Sequence, residues 1–243
     1  MKVWGTTDTG LVRKENQDAF SVETVGRYTV AVVCDGMGGT NGGQVASTIA
    51  VKTFVNGMKQ YLREEMSREQ WEATASACIS LANTAIRSEA TLHREYENMG
   101  TTLVSVIVKD DQAVISNIGD SRAYLVSGEE LHQITKDHSI VESMVERGDL
   151  TKEEARRHPS RNLITRALGP DAVAEADHYT VHLAAGDFLL LCSDGLVNTV
   201  SDQEILFEII HSNEVDTCLS RLIAVSKDRG APDNVTAVLL YNQ

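Results

Sequence analysis

The sequence predicts an α+β domain in which antiparallel strands and helices occur in blocks along the chain. Strand candidates follow one another between residues 101 and 135, separated only by short turns. Two long helical patterns precede that block. Two more helices follow one another between residues 202 and 228, before the last strand. Strands joined by tight turns pair antiparallel, whereas a doubly wound parallel sheet alternates strands with single helices. We therefore expect a layered fold with an antiparallel sheet.

The strand candidates are short runs of β-branched and aliphatic residues. The run Tyr28–Cys34 is continuously apolar, which is typical of a strand buried on both faces. Turns rich in Asp, Ser and Gly separate the central runs, as hairpins require. The predicted strands are Lys2–Thr7, Tyr28–Cys34, Thr101–Val108, Gln112–Ile118, Arg122–Val126, Glu130–Thr135, Tyr179–Leu183, Asp187–Cys192 and Asn234–Tyr241.

Four longer helical segments carry apolar residues at helical spacing. The first has an apolar residue at every fourth position from Ala46 to Leu62, and the second has an apolar stripe from Trp71 to Ile86. Such a stripe usually covers a sheet, and a partner-binding face is the alternative. Two further helices are predicted at Asp202–His211 and Val215–Asp228.

The segment Asp137–Gly169 differs from the rest because it is polar and rich in arginine. It contains two short helical patterns, Ser139–Arg147 and Lys152–Arg157. A long insertion with little apolar content is usually a surface loop or a mobile functional flap. The chain has only three prolines and no low-complexity linker, so we expect one domain over residues 1–243 with this segment inserted.

Composition excludes several classes of protein. The net charge of −13 disfavours binding to nucleic acid or to an anionic membrane, because both need clustered cationic side chains. The four cysteines are widely spaced without a C-x-x-C pair, which indicates reduced, buried thiols. No apolar stretch reaches roughly 18 residues and the first residues lack the pattern of a signal peptide, so we expect a cytoplasmic protein.

Four aspartates occur where strands are predicted to end or begin. Asp35 and Asp194 close apolar strands and each precedes a glycine, Asp120 lies between two strands, and Asp233 precedes the last strand. A buried carboxylate is costly unless it is paired or metal-bound, and several together repel one another unless a cation neutralises them. The alternative is that each aspartate forms a turn or caps a helix.

Oxygen ligands alone would favour Mg²⁺ or Mn²⁺ over zinc or copper. Two such ions about 3.5–4 Å apart can lower the pKa of a bridging water and hold a phosphoryl group for in-line attack. The cluster from Arg13 to Asp18 can contribute a guanidinium for phosphate and a further carboxylate, although a solvated turn is the alternative. No nucleotide-binding P-loop or dinucleotide fingerprint is present.

Taken together, seven short motifs in order resemble the metal-dependent protein phosphatases of the type 2C (PPM) family, most closely its compact bacterial members. The resemblance covers residues 4 to 241 approximately. The motifs are Arg13-x-x-Asn16-Gln17-Asp18, Val33-Cys34-Asp35-Gly36-Met37-Gly38-Gly39, Gly100-Thr101-Thr102, Asn117-Ile118-Gly119-Asp120-Ser121-Arg122, Asp137-His138-Ser139, Ser193-Asp194-Gly195-Leu196 and Asp233-Asn234-Val235-Thr236.

This resemblance implies a four-layer α/β/β/α sandwich, with two antiparallel sheets flanked by helix pairs and the metals at one end. It implies that Asp35 bridges two ions, Mn²⁺ or Mg²⁺. The carbonyl of Gly36, with Asp194 and Asp233, would complete the first metal site.

The resemblance also implies roles for residues around that centre. Asp18 would support the metal site from behind, and Asp120 with Asp194 would form a third, weaker one. Arg13 would bind the substrate phosphate, and Asp137–Gly169 would be the flap that influences substrate access.

Two positions depart from the animal members of the family. Met37 stands where they carry a histidine proposed as general acid, so a metal-bound water would have to donate the proton. Gln17 stands where they carry a glutamate, which would leave the second ion held mostly by waters. His138, near the flap, is the one histidine considered for a place facing the site, and the other six are expected on surfaces or in satisfied contacts.

The resulting prediction is a protein serine/threonine phosphatase in which a metal-bridged water or hydroxide attacks phosphorus directly, without a phosphoenzyme. Its partners would be phosphorylated proteins, including a cognate Ser/Thr kinase, and we expect a monomer. The alternatives are a catalytically inactive phosphoprotein-binding relative, a phosphatase dedicated to one regulatory partner, and a hydrolase of small phosphoesters.

Overall fold

The strands form two antiparallel sheets in the computed structural model, which describes residues 1–211 and 215–243, with the backbone alone at residues 39–41. The first sheet has the order β1-β11-β10-β7-β8 and the second the order β2-β3-β5-β6-β9, with β4 paired to β3. The strands are β1 Lys2–Asp8, β2 Asp18–Val25, β3 Tyr28–Met37, β4 Gly100–Thr101, β5 Leu103–Lys109, β6 Gln112–Ile118, β7 Arg122–Ser127, β8 Glu130–Gln133, β9 Asp177–His182, β10 Phe188–Cys192 and β11 Val235–Tyr241.

Helices cover the outer face of each sheet. The apolar stripes of α1 and α2 pack on the second sheet, and those of α6 and α7 pack on the first. The helices are α1 Gly39–Tyr61, α2 Arg68–Leu92, α3 Ile140–Glu146, α4 Lys152–Arg157, α5 Asp194–Val197, α6 Asp202–Ile210 and α7 Val215–Asp228, and a 3₁₀ turn spans Arg94–Tyr96. Ser67, Thr151 and Ser201 begin α2, α4 and α6 with reciprocal capping boxes.

Alternate residues of the central strands enter different hydrophobic layers. In β3, Val30 and Val32 pack against the helices, whereas Ala31 and Val33 pack against the opposite sheet. In β10, Leu189 likewise belongs to the layer between the sheets. Because both faces of these strands are buried, β3 is apolar without interruption from Val30 to Cys34, and β10 is apolar throughout. The four-layer arrangement predicted from the family resemblance is confirmed.

Two features of the fold differ from the sequence prediction. The strand β2, Asp18–Val25, was not predicted; it lies at an edge of its sheet, and only the four residues from Phe20 to Glu23 alternate between apolar and polar. The short helix α5, Asp194–Val197, directly follows β10 and was also missed. The predicted helices and the remaining strands are present with small shifts at their ends.

Other expectations from composition can be compared with the structure. All four cysteines are buried and free, as predicted. Within the described residues, no helix has the length and the hydropathy that a membrane crossing requires.

Candidate active site

Strand register brings the predicted site residues to one end of the sandwich. Asp18 at the start of β2 pairs with Asp35 near the end of β3. At the same end, Cys192 at the end of β10 pairs with both Arg122 and Ala237 on its two neighbouring strands. The loops that follow or precede these positions enclose a pocket with a volume of about 700 Å³. Its lining includes Arg13, Asp35, Gly36, Asp120, Asp194 and Asp233.

Asp35 is held through its backbone, which leaves its carboxylate for the pocket. Its amide donates to Thr102 Oγ1 at 2.9 Å, and its carbonyl accepts from the Thr102 amide at 2.9 Å and from Thr101 Oγ1 at 2.8 Å. Burial raises the pKa of Asp35 well above its usual value, and repulsion from Asp18 and Asp194 raises it further. The protein therefore holds a carboxylate where its charge is unfavourable without a cation.

The carboxylates of Asp194 and Asp120 are in the same unfavourable electrostatic environment. Burial raises the pKa of both carboxyls, and Asp233 and Asp194, respectively, raise them further. Asp194 Oδ2 accepts a hydrogen bond from Asn198 Nδ2 at 3.0 Å, whereas its Oδ1 is buried without a partner. A buried oxygen without a donor is rare in proteins and indicates a position that a ligand can satisfy.

Asp18 lies deeper than the other carboxylates. The Ser193 hydroxyl donates to Asp18 Oδ2 at 2.7 Å and accepts from the Thr236 amide at 3.0 Å. Burial raises the pKa of Asp18 to about 6, and its Oδ1 has no hydrogen-bond partner. Asp18 is not among the residues that line the pocket, and its place behind the metal site stays a prediction.

These residues fit hard divalent cations. They offer only oxygen ligands, and a cation would relieve both the carboxylate repulsion and the unpaired oxygens. Within residues 1–211 and 215–243, no three His, Cys, Asp or Glu side chains form a ready-made cage for one ion. Mg²⁺ typically takes only one or two protein carboxylates and keeps several waters, so an open arrangement is compatible with it.

Gly36 lies where no larger residue fits. A Cβ at this position would overlap the carbonyl oxygen of Gly43 and would lie 2.6 Å from the carbonyl oxygen of Gln17. The Gly36 amide donates to that same Gln17 oxygen at 3.1 Å. The glycine therefore allows β3 to pass close to two other backbone segments at the pocket wall.

Arg13 lies at the lip of the pocket, with its side chain 56% exposed. Its Nη2 donates to Asp233 Oδ2 at 2.8 Å, and this hydrogen bond raises the pKa of Arg13. The pair joins the predicted phosphate-binding residue to a predicted metal ligand. A guanidinium fixed in this way is prepared for an anion entering the pocket.

Asn234 is an important residue that the sequence prediction did not single out. Its Nδ2 donates to the carbonyls of Thr9 and Glu15 at 2.9 and 3.0 Å, and its Oδ1 accepts from the Gln17 amide at 2.8 Å. One side chain therefore holds the loop of residues 9–17, including Arg13, against the start of β11. Its position directly after Asp233 is the only signal of this role in the sequence.

His138 does not line the pocket. It is buried, its Nδ1 lies 3.2 Å from the Gly119 amide, and its Nε2 lies 3.0 Å from Asp177 Oδ2. Burial lowers the pKa of this imidazole. His138 therefore ties the base of the Asp137–Gly169 segment to the turn that carries Asp120. Met37 does line the pocket, and its thioether has no proton to donate.

Comparisons with known proteins agree with this geometry. The family described as Protein phosphatase 2C matches residues 12–238. The chain is 36% identical to the serine/threonine phosphatase Stp of Listeria innocua, over 96% of this chain and 93% of that one. It is 36% identical to the protein phosphatase PhpP of Streptococcus pneumoniae, over 99% and 97%. The crystal structure of the serine/threonine phosphatase Stp1 of Staphylococcus aureus superposes with a TM-score of 0.94 at 34% identity, covering 100% of this chain and 95% of that one.

Proposed function

The chain belongs to the protein phosphatase 2C family and is a metal-dependent protein serine/threonine phosphatase, and from this premise we propose how its pocket carries out the reaction. The pocket hydrolyses phosphoserine and phosphothreonine in proteins by direct attack of water on phosphorus. The observation that carries this proposal is the convergence of buried, mutually repelling carboxylates in one pocket with Arg13 at its lip.

The metal ions of the proposal are two Mn²⁺ or Mg²⁺, with a third near Asp120. Asp35, Asp194 and Asp233 would hold them with the carbonyl of Gly36, and Asp18 would support the centre from behind. When bound, such ions supply an activated water and positive charge for the phosphoryl oxygens.

The side chains around the pocket argue against a covalent phosphoenzyme. The Ser193 hydroxyl is committed to Asp18 and the Ser121 hydroxyl to Thr102 Oγ1, at 2.7 Å in each case. Burial raises the pKa of Cys34 well above its usual value and that of Cys192 to about 12, so both thiols stay protonated at neutral pH. Among the described residues, these serines and cysteines are therefore not activated as nucleophiles, and the aspartates are assigned to the metal ions, which favours water as the attacking group.

Arg13 positions the substrate in this proposal. Its planar guanidinium can bind two phosphoryl oxygens and stabilise the charge that develops on them. The ion pair with Asp233 and the clamp of Asn234 on the loop fix the guanidinium before substrate arrives. Such preorganisation lowers the entropic cost of binding.

The wider context is also part of the proposal. Residues 1–243 act as one catalytic domain, and Asp137–Gly169 acts as a flap over the pocket, to which Asn162 and Ile164 contribute. The protein acts in the cytoplasm as a monomer and opposes a Ser/Thr protein kinase. The presence of Asp35, Asp194 and Asp233 in one pocket argues against an inactive phosphoprotein-binding relative.

A substrate panel tests the proposal. Phosphoserine and phosphothreonine peptides, p-nitrophenyl phosphate and sugar phosphates would be incubated with Mn²⁺, with Mg²⁺ and with EDTA. We expect metal-dependent hydrolysis of the peptides and of p-nitrophenyl phosphate, and slow hydrolysis of sugar phosphates. Undiminished turnover in EDTA would contradict the metal mechanism, and a preference for sugar phosphates would favour a hydrolase of small phosphoesters.

A further inference from the structure

Four large exposed apolar side chains lie on the two chain segments that border the pocket. Ten such side chains are exposed within the described residues, and these four belong to the loop of residues 9–17 and to the segment Asp137–Gly169, which both contribute pocket-lining residues. Leu11 and Val12, 61% and 66% exposed, directly precede Arg13. Leu163, 52% exposed, lies between Asn162 and Ile164, and Ile140 is hydrogen-bonded to it. We name these four residues the apolar rim.

The first side of the apolar rim is held firmly. The Leu11 amide donates to the Ala231 carbonyl at 3.0 Å, and the Gly10 amide donates to Asp8 Oδ1 at 2.9 Å. Asn234 binds the same loop on both sides of Leu11 and Val12, at Thr9 and Glu15. Leu11 and Val12 are therefore exposed on a loop whose backbone is hydrogen-bonded at several points.

The second side is anchored in a similar way, by the flap itself. The Ile140 amide donates to the Leu163 carbonyl at 3.0 Å, and the Leu163 amide donates to the Ser160 carbonyl at 3.1 Å. Ser139 and Ile164 form an isolated antiparallel bridge beside them. Because the backbone on both sides is held by these hydrogen bonds, it loses little further conformational entropy when a partner binds.

The position of the apolar rim determines what can cover it. Arg13 on the loop of Leu11 and Val12, and Asn162 and Ile164 on either side of Leu163, line the same pocket. With a phosphorylated side chain in the pocket, we infer that the residues before and after it come close to these two segments. The chain has a net charge of −13, but the four side chains of the rim are aliphatic. Aliphatic residues on either side of the phosphorylated residue would therefore bury apolar surface against the rim.

We propose that the apolar rim binds aliphatic side chains that flank the phosphorylated residue of a protein substrate. The enzyme then prefers phosphorylated segments with apolar residues on both sides over segments with polar flanks. The inference rests on the proposed function, because it requires the phosphate to occupy the pocket.

The test combines enzyme variants with peptide variants. The double variant Leu11→Ser/Val12→Ser removes one side of the rim, and Leu163→Ser removes part of the other. The matched control is Leu92→Ser/Val173→Ser, which removes one leucine and one valine that are 75% and 71% exposed and do not line the pocket. The substrates are a phosphothreonine nonapeptide with leucine two residues to either side, the same peptide with serine there, and p-nitrophenyl phosphate.

We expect each rim variant to lose about three- to tenfold in kcat/KM on the leucine peptide, the range for one or two partly buried aliphatic contacts. Losses on the serine peptide and on p-nitrophenyl phosphate should stay below about twofold, and the control should match the unaltered enzyme on all three. This difference between peptides is the coupling that a double-mutant cycle isolates.

Three results would overturn the inference. Equal losses on both peptides would show damage to the pocket and no contact with flanking residues. Turnover of p-nitrophenyl phosphate that falls as enzyme concentration rises, and is restored by Leu11→Ser/Val12→Ser, would assign the rim to a second copy of the chain. Absence of hydrolysis of every substrate by the unaltered enzyme with Mn²⁺ would refute the proposed function and the inference with it.

Discussion

At the scale of single residues, Asp35 is the carboxylate whose removal is most informative. Its pKa is raised by burial and by four neighbouring aspartates, so its charge is unfavourable in the metal-free protein and useful only with bound cations. For Asp35→Asn we expect loss of p-nitrophenyl phosphate hydrolysis by at least about a hundredfold. Thermal stability in EDTA should be equal to or higher than that of the unaltered protein, because one source of repulsion is gone.

The control for this experiment is Asp171→Asn, an exposed aspartate outside the pocket, which should leave both measurements unchanged. Retention of most of the activity by Asp35→Asn would exclude this carboxylate from metal binding. A large drop in stability would mean that Asp35 has a structural role that the electrostatics do not show.

Arg13 should affect substrate binding more than turnover. Replacing it with alanine removes the guanidinium at the pocket lip, so we expect the KM for p-nitrophenyl phosphate to rise about tenfold with a smaller fall in kcat. Arg13→Lys should recover part of this loss, because it keeps the charge without the planar geometry. Steady-state kinetics with saturating Mn²⁺ provide the measurement, and Lys14→Ala, also at the pocket wall, is the comparison. An unchanged KM in Arg13→Ala would remove it from phosphate binding.

The aspartates of the site could be predicted from the sequence, but the hydrogen bonds that hold the site together could not. Asp35 and Asp194 are recognisable because a charged residue closes an apolar strand and a glycine follows. The clamp of Asn234 on residues 9–17 could not be predicted, because it joins side-chain and backbone atoms more than 200 residues apart. The same holds for the Ser193 hydroxyl on Asp18, since any serine beside a strand end has the same local sequence signal.

At the scale of structural elements, a buried ion pair fastens the flap to the first sheet. Arg122 in β7 donates to Asp137 from Nε at 2.9 Å and from Nη2 at 2.7 Å, and Asp137 begins the flap segment. The side chains are 23% and 10% exposed. Removing one partner of a buried pair leaves the other charge uncompensated, so Asp137→Asn should lower the free energy of unfolding by about 3 kcal/mol.

Urea unfolding is the measurement, and the flap itself offers the control. Glu153 and Arg157 form an ion pair on α4 with side chains 65% and 81% exposed. Glu153→Gln should change stability by less than about 0.5 kcal/mol, because water screens an exposed pair. Equal effects of the two substitutions would mean that the Arg122–Asp137 pair does not hold the flap base.

The elements show why sequence patterns identify some strands and miss others. The runs in β3 and β10 are apolar throughout because they are buried on both faces, and this pattern is distinctive. In β2, Phe20 and Val22 alternate with Ser21 and Glu23, which is the pattern of a half-buried strand but covers only four residues and is less distinctive than a continuous apolar run. The register that places Asp18 opposite Asp35 is a tertiary property of the two strands.

At the scale of the whole molecule, the site carboxylates make stability depend on pH and metal. The pKa of Asp18 is about 6 in the folded protein, above its ordinary value of 3.8, so the folded state binds a proton more readily than the unfolded state. This contribution favours folding at low pH and is lost as pH rises through about 6. Buried His138 and half-buried His178 have lowered pKa values, and their contributions oppose this trend.

Comparing the stability of Asp18→Asn with that of the unaltered protein separates the contribution of Asp18 from that of the histidines. In EDTA, Asp18→Asn should be more stable than the unaltered protein at pH 7.5, and the advantage should shrink at about pH 5, where Asp18 itself becomes protonated. The histidines are common to both proteins and cancel. Thermal unfolding at the two pH values measures the difference, and saturating Mn²⁺ should reduce it. A pH-independent difference would contradict the raised pKa of Asp18.

The pairing of the first strand with the last has a consequence for the protein during its synthesis. In the first sheet β1 pairs only with β11, in register from Lys2 with Tyr241 to Asp8 with Val235. β1 and the loop that carries Arg13 therefore cannot take their places until β11 has left the ribosome. A nascent chain that has not reached Asp233 and Asn234 lacks two residues of the proposed site as well, so we expect no phosphatase activity before β11 has been synthesised.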